Sequence, residues 1–130
     1  MKMSARGLLL AIALAAFATV AQAQSLELIG YAGDLGEWEL TATVTEKTSR
    51  LAKEYAGPLT MTHVGICTQE GPEKKTGEIR IQISASSPRL NATLSVDGVA
   101  CTYSGVLSDS YTGVMTCAGR PAVPLKLWVR

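Results

Sequence analysis

Apolar and polar side chains alternate along most of this chain with a period of two. In one segment the apolar residues Trp38, Leu40, Ala42 and Val44 are separated by glutamate and threonine side chains. The same alternation recurs over residues 79–84, 90–96 and 123–130. Because successive side chains of a β-strand point to opposite faces of a sheet, this period predicts strands with one buried and one solvated face. We therefore expect an all-β protein.

Turn residues separate the alternating segments. Asp97-Gly98 lies between two of them and is typical of a two-residue hairpin, because such turns need positive φ angles that glycine adopts freely. Polar loops that contain proline occur at residues 69–77 and 86–89. Short strands joined by hairpins remove their exposed edges best by closing on themselves. We predict a small up-and-down antiparallel β-barrel of about seven or eight strands, with an open β-sandwich as the alternative.

Residues 48–57, with the sequence TSRLAKEYAG, depart from this alternation. A polar start, helix-forming residues and a terminal glycine are typical of a short helix. We therefore expect one or two helical turns in this segment.

The beginning of the chain has the features of a secretory signal peptide: basic residues close to Met1, an apolar run of about 14 residues, and small residues up to Ala23. This run is shorter than the ~18 residues that a membrane-spanning helix needs. Position 24 is Gln24 rather than a cysteine that could accept a lipid. We expect a signal peptide over residues 1–23, a single β-barrel domain over residues 24–130, periplasmic or secreted localisation, and no membrane association after cleavage.

A second hairpin is indicated by the polar residues 108–110. If they form the loop, residues whose numbers add up to 218 face each other, and Cys101 faces Cys117. The turn at residues 97–98 places Leu94 opposite Cys101, so both registers put the same side chains on the apolar face. Directly opposed strand residues have α-carbons ~4.5 to 5.5 Å apart, which a disulfide accepts. We predict a disulfide between Cys101 and Cys117.

The remaining cysteine, Cys67, has no partner in this arrangement. It would be a buried thiol or an intermolecular bridge, so we expect a monomer or a dimer through Cys67. A bridge from Cys67 across the barrel to Cys101 or Cys117 is the alternative that the spacing leaves open. All of these cysteines lie in the part expected to be exported, where disulfides persist.

Every tyrosine of the chain stands two residues before a glycine. Residues two apart on a strand share one face, and an aromatic ring can cover a glycine and compensate for its missing side chain. The pattern therefore predicts a device for bending strands inside a tight barrel. The alternative interpretation is that the rings line a ligand-binding cavity together with a tryptophan. The candidate ligand-binding residues are Trp38, Tyr31, Tyr55, Tyr103 and Tyr111.

Charge and residue types argue against several functions. The chain has 12 Lys and Arg against 11 Asp and Glu, without the basic block of a nucleic-acid-binding surface. His63 is the only histidine, and a structural zinc site needs four ligands, so we expect no metal and no cofactor. On a strand His63 and Cys67 lie ~13 Å apart, too far for a nucleophile and its base. No G-x-S-x-G motif occurs either, so we expect no enzyme, with a weak hydrolase around His63 as the remotest alternative.

The tripeptide Gly36-Glu37-Trp38, together with Arg130 at the end of the last alternating segment, resembles the pattern of the calycins, which include the lipocalins, the avidins and small bacterial metalloprotease inhibitors. The resemblance implies that Gly-x-Trp opens the first strand and that a late basic residue packs over the indole. Residues 24–40 are also similar to the N-terminal trunk and first strand of the inhibitors. The cysteine placement of the inhibitors and the ligand-facing tryptophans of the avidins are missing, so the resemblance implies a barrel more than an activity.

These observations favour an exported, non-enzymatic protein that binds another protein or a small ligand. Protease inhibition is one specific form, and it requires residues 24–35 to be free and exposed. The alternative is a carrier of a small hydrophobic ligand, which requires a cavity of ~300 Å³ or more. Trp128 has the opposite parity from the apolar residues of its segment, so it is expected on the surface as a partner contact or stacked on a neighbouring basic residue.

Overall fold

Eight antiparallel strands close into a barrel in chain order. The structure, a computed structural model, describes residues 24–47, 53–64 and 71–130. The strands are β1 (Ser25–Ala32), β2 (Trp38–Lys47), β3 (Lys53–His63), β4 (Lys74–Ile83), β5 (Arg89–Val96), β6 (Val99–Leu107), β7 (Tyr111–Cys117) and β8 (Val123–Val129). Each strand pairs with the next, and β8 returns to pair with β1. The predicted up-and-down barrel is confirmed, and the sheet is closed rather than an open sandwich.

Two sequence predictions concern residues that lie outside these ranges. The predicted signal peptide, residues 1–23, and the cysteine Cys67 are not among the described residues. None of the described segments forms a helix long and apolar enough to cross a membrane.

The alternation of the sequence becomes the inside and the outside of the barrel. On β5 every second residue from Leu90 to Val96 is buried, and the residues between them are exposed. The largest fully buried side chains are Leu28, Leu40, Val44, Ile81, Leu90, Leu125 and Leu127. Burial of apolar surface stabilises a fold by ~25 cal/mol per Å², so this inner layer is the main source of stability.

Both predicted hairpin registers are confirmed. On β6 and β7 Cys101 lies opposite Cys117, and on β5 and β6 Leu94 lies opposite Cys101. Cys101 and Cys117 are joined by the predicted disulfide, with α-carbons 4.0 Å apart. Asp97 and Gly98 have φ angles of 48° and 80°, as the two central residues of a type I′ turn require.

The predicted helix over residues 48–57 is wrong where the structure describes it. Residues 53–57 belong to β3, and residues 48–52 lie outside the described ranges. Tyr55 pairs with Glu46 on one side and with Ile81 on the other, and its side chain is buried. Two neighbouring strands and a buried ring outweigh a local helix propensity, which amounts to less than ~1 kcal/mol per residue.

One tyrosine covers its glycine as the sequence pattern predicts. A Cβ atom placed on Gly105 would first meet the hydroxyl and ring of Tyr103. The Tyr103 ring therefore occupies the space that a side chain at Gly105 would take. This ring is also deep in the barrel, with an exposed fraction of 3%.

Two other glycines of the pattern have a different role. A Cβ atom on Gly57 would first meet the carbonyl oxygen of Thr43 on the neighbouring strand. In the same way, a Cβ atom on Gly113 would first meet the carbonyl oxygen of Ser104. These glycines allow two backbones to approach closely where the sheet bends, so their role is backbone contact rather than coverage by a ring.

Candidate functional site

The barrel has an open cavity at one of its ends, with a volume of about 450 Å³. This is the end at which β1, β3, β5 and β7 finish and the other strands begin. We call it the Trp38 end, after the first residue of β2, and we call the opposite end the Tyr111 end, after the first residue of β7. Residues from all eight strands and from turns at the Trp38 end line the cavity.

The inner walls of the cavity are apolar. Met61 and Met115 are both buried and line it from β3 and β7. Val99 and Val123 are half-buried lining residues at the starts of β6 and β8. Methionine is flexible and polarisable, so a wall that contains it can adjust to ligands of different shape.

Several inward-facing residues close to the opening of the cavity are small. These positions hold Ala32, Val96 and Cys101. Interior positions of small barrels are filled by side chains, so these short residues leave space beside the larger Met61 and Met115. The Cys101–Cys117 disulfide forms part of the lining.

An aromatic group stands at one side of the opening. Trp38 lies opposite His63 on the neighbouring strand, and their ring centroids are 4.5 Å apart with the planes tilted by 30°. The Lys75 Nζ atom lies 4.8 Å from the centroid of the Trp38 ring. A cation at this distance is attracted to the face of the indole, which contributes ~0.5 to 1 kcal/mol at an exposed site.

Two carboxylates at the opening accept hydrogen bonds from backbone N–H groups. The Glu37 Oε2 atom accepts a hydrogen bond of 3.0 Å from the Leu35 N–H, which holds the turn before Trp38. The Asp97 Oδ1 atom accepts a hydrogen bond of 3.2 Å from the Thr76 N–H. Both carboxylates therefore stabilise turns at the opening.

The two basic residues that line the cavity have no such partner. Among the described residues, no carboxylate forms a salt bridge with Lys75 or Arg120, and the one salt bridge joins Arg80 and Glu54 on the outer face at 3.1 Å. Lys75 is half-buried, and Arg120 is exposed in the turn between β7 and β8. Their side chains are thus available to a molecule in the cavity.

The residues predicted to bind a ligand are not brought together. Trp38 lines the cavity, and Tyr103 lies deeper in the core, where its hydroxyl donates a hydrogen bond of 3.1 Å to the Leu125 carbonyl. Burial raises the pKa of Tyr103 to about 12. Tyr55 is buried and Tyr111 is half-buried, both toward the Tyr111 end. Methionines, valines and the disulfide line the cavity in place of tyrosines.

Tyr31 is on the outside of the barrel. Its ring packs edge to face against Trp128, with centroids 5.9 Å apart and planes at 80°. Exposed fractions of 40% for Tyr31 and 37% for Trp128 leave both rings accessible. The surface position predicted for Trp128 is confirmed.

The placement of Trp38 and Arg130 differs from what the calycin resemblance implies. Trp38 opens the second strand rather than the first. Arg130 lies at the Tyr111 end, where its backbone is hydrogen-bonded to that of Glu27, and the cation over the Trp38 ring is that of Lys75.

The segment at residues 24–35, which a trunk-type protease inhibitor would need free, is mostly part of the barrel. β1 is hydrogen-bonded to β2 on one edge and to β8 on the other. Its inward side chains Leu28 and Ala32 are buried, and the large exposed apolar residues of this segment are Tyr31 on the outer face of β1 and Leu35 in the turn after it. Inhibition through a free N-terminal segment therefore does not fit this arrangement.

The surroundings of His63 bear on catalysis and on metal binding. Its described contacts are the Trp38 ring and a backbone hydrogen bond to the Glu73 carbonyl. Within residues 24–47, 53–64 and 71–130 there is no cluster of three His, Cys, Asp or Glu residues that could hold a metal ion. The hydrolase alternative therefore gains no support from the described surroundings of His63.

The sequence pattern contained part of the signal for this site. Met61 and Met115 have inward parity and lie close to strand ends, so a known strand order would place them in the lining. Lys75 has the same inward parity as the buried Ile79, but a charged side chain is not expected to face the interior of a barrel. Arg120 lies in a turn, where no period assigns it to a face.

Comparison with known proteins gives no further information about the site. No protein-family model, no curated protein and no solved structure matches this chain.

Proposed function

We propose that this protein is an exported, non-enzymatic binding protein that holds a small, largely apolar ligand in the cavity at the Trp38 end. The observation that carries this proposal is the cavity itself, with about 450 Å³ inside apolar walls. Ligand sites typically have ~300 to 1,000 Å³ and mostly apolar walls with a few polar groups. The volume, the lining and the polar opening all agree with that description.

The apolar inner walls of the open cavity support a binding role. Empty apolar space is unfavourable, since each missing contact loses attraction between the walls. Filling it with a ligand removes apolar surface of both partners from water. The cavity is also accessible from solvent at the Trp38 end, so a ligand has a route to it.

Export is supported by two independent features. The first residues resemble a secretory signal peptide, and the Cys101–Cys117 disulfide is a bond that persists in oxidising compartments. A binding protein of the periplasm or of the exterior would meet small molecules as they enter or leave the cell.

Binding of a neutral apolar dye such as N-phenyl-1-naphthylamine tests this function. We expect dye fluorescence to increase with the mature protein, and Val99→Phe to weaken binding by about tenfold because the larger ring occupies the cavity. Val114→Phe is the matched control, since Val114 is 51% exposed on the outer face of β7. Circular dichroism verifies that both variants are folded. Equal binding by the two variants, or none by the wild-type protein, would contradict the proposal.

Protein binding is a second candidate function, and the exposed Tyr31–Trp128 pair supports it. Tyrosine and tryptophan are enriched in protein interfaces. Protease inhibition, as one form of it, would have to use this outer face. The test is residual activity of secreted metalloproteases with the mature protein and with Trp128→Ala. Inhibition that the substitution leaves unchanged would exclude this face, and no inhibition at all would remove this form.

A further inference from the structure

We propose that the ligand is a small amphipathic organic acid, whose apolar part lies in the cavity and whose anionic group contacts Lys75 and Arg120 at the opening. This inference rests on the proposed function and specifies its ligand class. It follows from the distribution of charges and of their partners around the cavity.

The polar groups of the cavity lie at its opening and not on its inner walls. The inner walls are formed by Met61, Met115 and the valines, whose side chains offer no strong hydrogen-bonding group. A charged group placed among them would lose its hydration without compensation. A ligand with one polar end is therefore oriented with that end outward, beside Trp38 and the charged residues.

The charges at the opening favour an anion over a cation. Glu37 and Asp97 already accept hydrogen bonds from the backbone N–H groups of Leu35 and Thr76. Lys75 and Arg120, in contrast, form no salt bridge with any described residue. A bound carboxylate or sulfonate would accept hydrogen bonds from these two side chains. Such bonds are favourable because hydrogen bonds between charged groups are stronger than those between neutral groups.

Trp38 positions one of these cations. Its ring lies 4.8 Å from the Lys75 Nζ atom, so the ammonium group is held beside the cavity rather than extended into solvent. The indole attracts the cation through its π face, and N–H donors of the ammonium that point away from the ring can reach oxygen atoms. Arg120, from the turn between β7 and β8, also lines the opening and adds a planar donor group.

Three ligands share a ten-carbon chain and differ in their head group: decanoate, decan-1-ol and decylammonium. Comparing their affinities separates the contribution of the head group from that of the apolar tail. Isothermal titration calorimetry of the mature protein measures each affinity. A Trp128→Phe variant adds an independent signal, since its remaining tryptophan fluorescence comes from Trp38 at the cavity. We expect decanoate to bind about tenfold more tightly than decan-1-ol, and decylammonium to bind most weakly.

Neutral substitutions assign the preference to the two cations. We expect Lys75→Gln to weaken decanoate binding by about fivefold to tenfold and Arg120→Gln by about threefold, because Arg120 is more exposed and better screened. Binding of decan-1-ol should not change in either variant. The matched controls are Lys74→Gln and Arg130→Gln, since Lys74 is exposed next to Lys75 and Arg130 lies at the Tyr111 end. Both controls should bind decanoate as the wild-type protein does.

The outcomes distinguish this inference from the proposed function. Equal affinity for decanoate and decan-1-ol, or tighter binding of decylammonium, would overturn the anionic head group and leave the apolar cavity in place. A decanoate preference that survives both substitutions would overturn the assignment to Lys75 and Arg120. If none of the three ligands binds, the inference fails together with the proposed function.

Discussion

The two ends of the barrel interior are built on the same alternation but are filled differently. Toward the Tyr111 end the inward residues are long, and Leu28, Leu90 and Leu127 are each at most 1% exposed. Toward the Trp38 end about 450 Å³ remains open between the inward residues, which include Met61 and Met115. Strand order and register are continuous from one end to the other. One continuous barrel therefore has a packed end and a cavity end.

The cavity end carries a covalent bond between two of its strands. Cys101 and Cys117 join β6 and β7 beside the cavity. At the packed end the buried Leu90 of β5 lies opposite Gly105 of β6, and the buried Leu127 of β8 lies opposite Tyr111 of β7. Stability thus has different physical sources at the two ends, and this difference can be tested by substitution.

The largest effect is expected from removing the disulfide. We expect the double variant Cys101→Ala with Cys117→Ala to lose about 3 kcal/mol of unfolding free energy, because a crosslink between residues 16 apart restricts the unfolded chain. Urea denaturation of the wild-type and variant proteins measures it. Dye binding should weaken as well, since the bond is part of the cavity wall. A loss below about 1 kcal/mol would mean that packing alone holds this end.

A matched pair of valines compares the two ends directly. Val44 is fully buried toward the Tyr111 end, and Val99 is half-buried beside the cavity. We expect Val44→Ala to lower the unfolding free energy by about 2 kcal/mol and Val99→Ala by less than about 1 kcal/mol, because only the first leaves a new void in a packed region. Urea denaturation gives both values. Equal losses would contradict the division into a packed end and a cavity end.

The smallest effect is expected at Tyr103. Tyr103→Phe removes the hydrogen bond to the Leu125 carbonyl and should lower the unfolding free energy by about 1 kcal/mol, because an average hydrogen bond contributes that much. Tyr31→Phe is the control, since Tyr31 lies on the outer face, and its effect should stay within about 0.5 kcal/mol. A loss for Tyr103→Phe no larger than that of the control would show that this bond is dispensable.

The same variant gives a pH signature. Burial raises the pKa of Tyr103 from 10.0 to about 12, so the folded state favours the protonated hydroxyl. The stabilisation is complete below the unfolded pKa and is lost as the pH rises through the folded one. The wild-type protein should therefore lose more stability than Tyr103→Phe between pH 10 and pH 12, as followed by urea denaturation. Parallel pH profiles of the two proteins would contradict this assignment.

Local sequence signals were sufficient for most of the fold. The turn at residues 97–98 and the loop at residues 108–110 set two registers by counting, and the pairing of Cys101 with Cys117 followed from them. The segment at residues 53–57 was predicted as helix, because its helix-forming residues are a local signal and its pairing with two distant strands is not.

The candidate site was less accessible to sequence reasoning. Tyr31 could have been assigned to the outer face, since it has the opposite parity from Leu28 and Ala32 on the same strand. The cavity, in contrast, depends on how residue size is distributed over all eight strands once they are closed. Such a sum over distant strands cannot be read from any one segment. Arg120 lies in a turn, so its position beside the cavity follows only from the three-dimensional structure.

Closure between β1 and β8 has a consequence for how the chain reaches its final form. These strands lie at opposite ends of the described chain, and Leu28 pairs with Val129. Until β8 arrives, the other strands form an incomplete sheet with unpaired edges on β1 and β7, and such edges can pair with other molecules. Contacts between distant segments also form slowly, because a long loop has to be closed first. The arrival of the final strand is thus the step that removes the unpaired edges of the sheet.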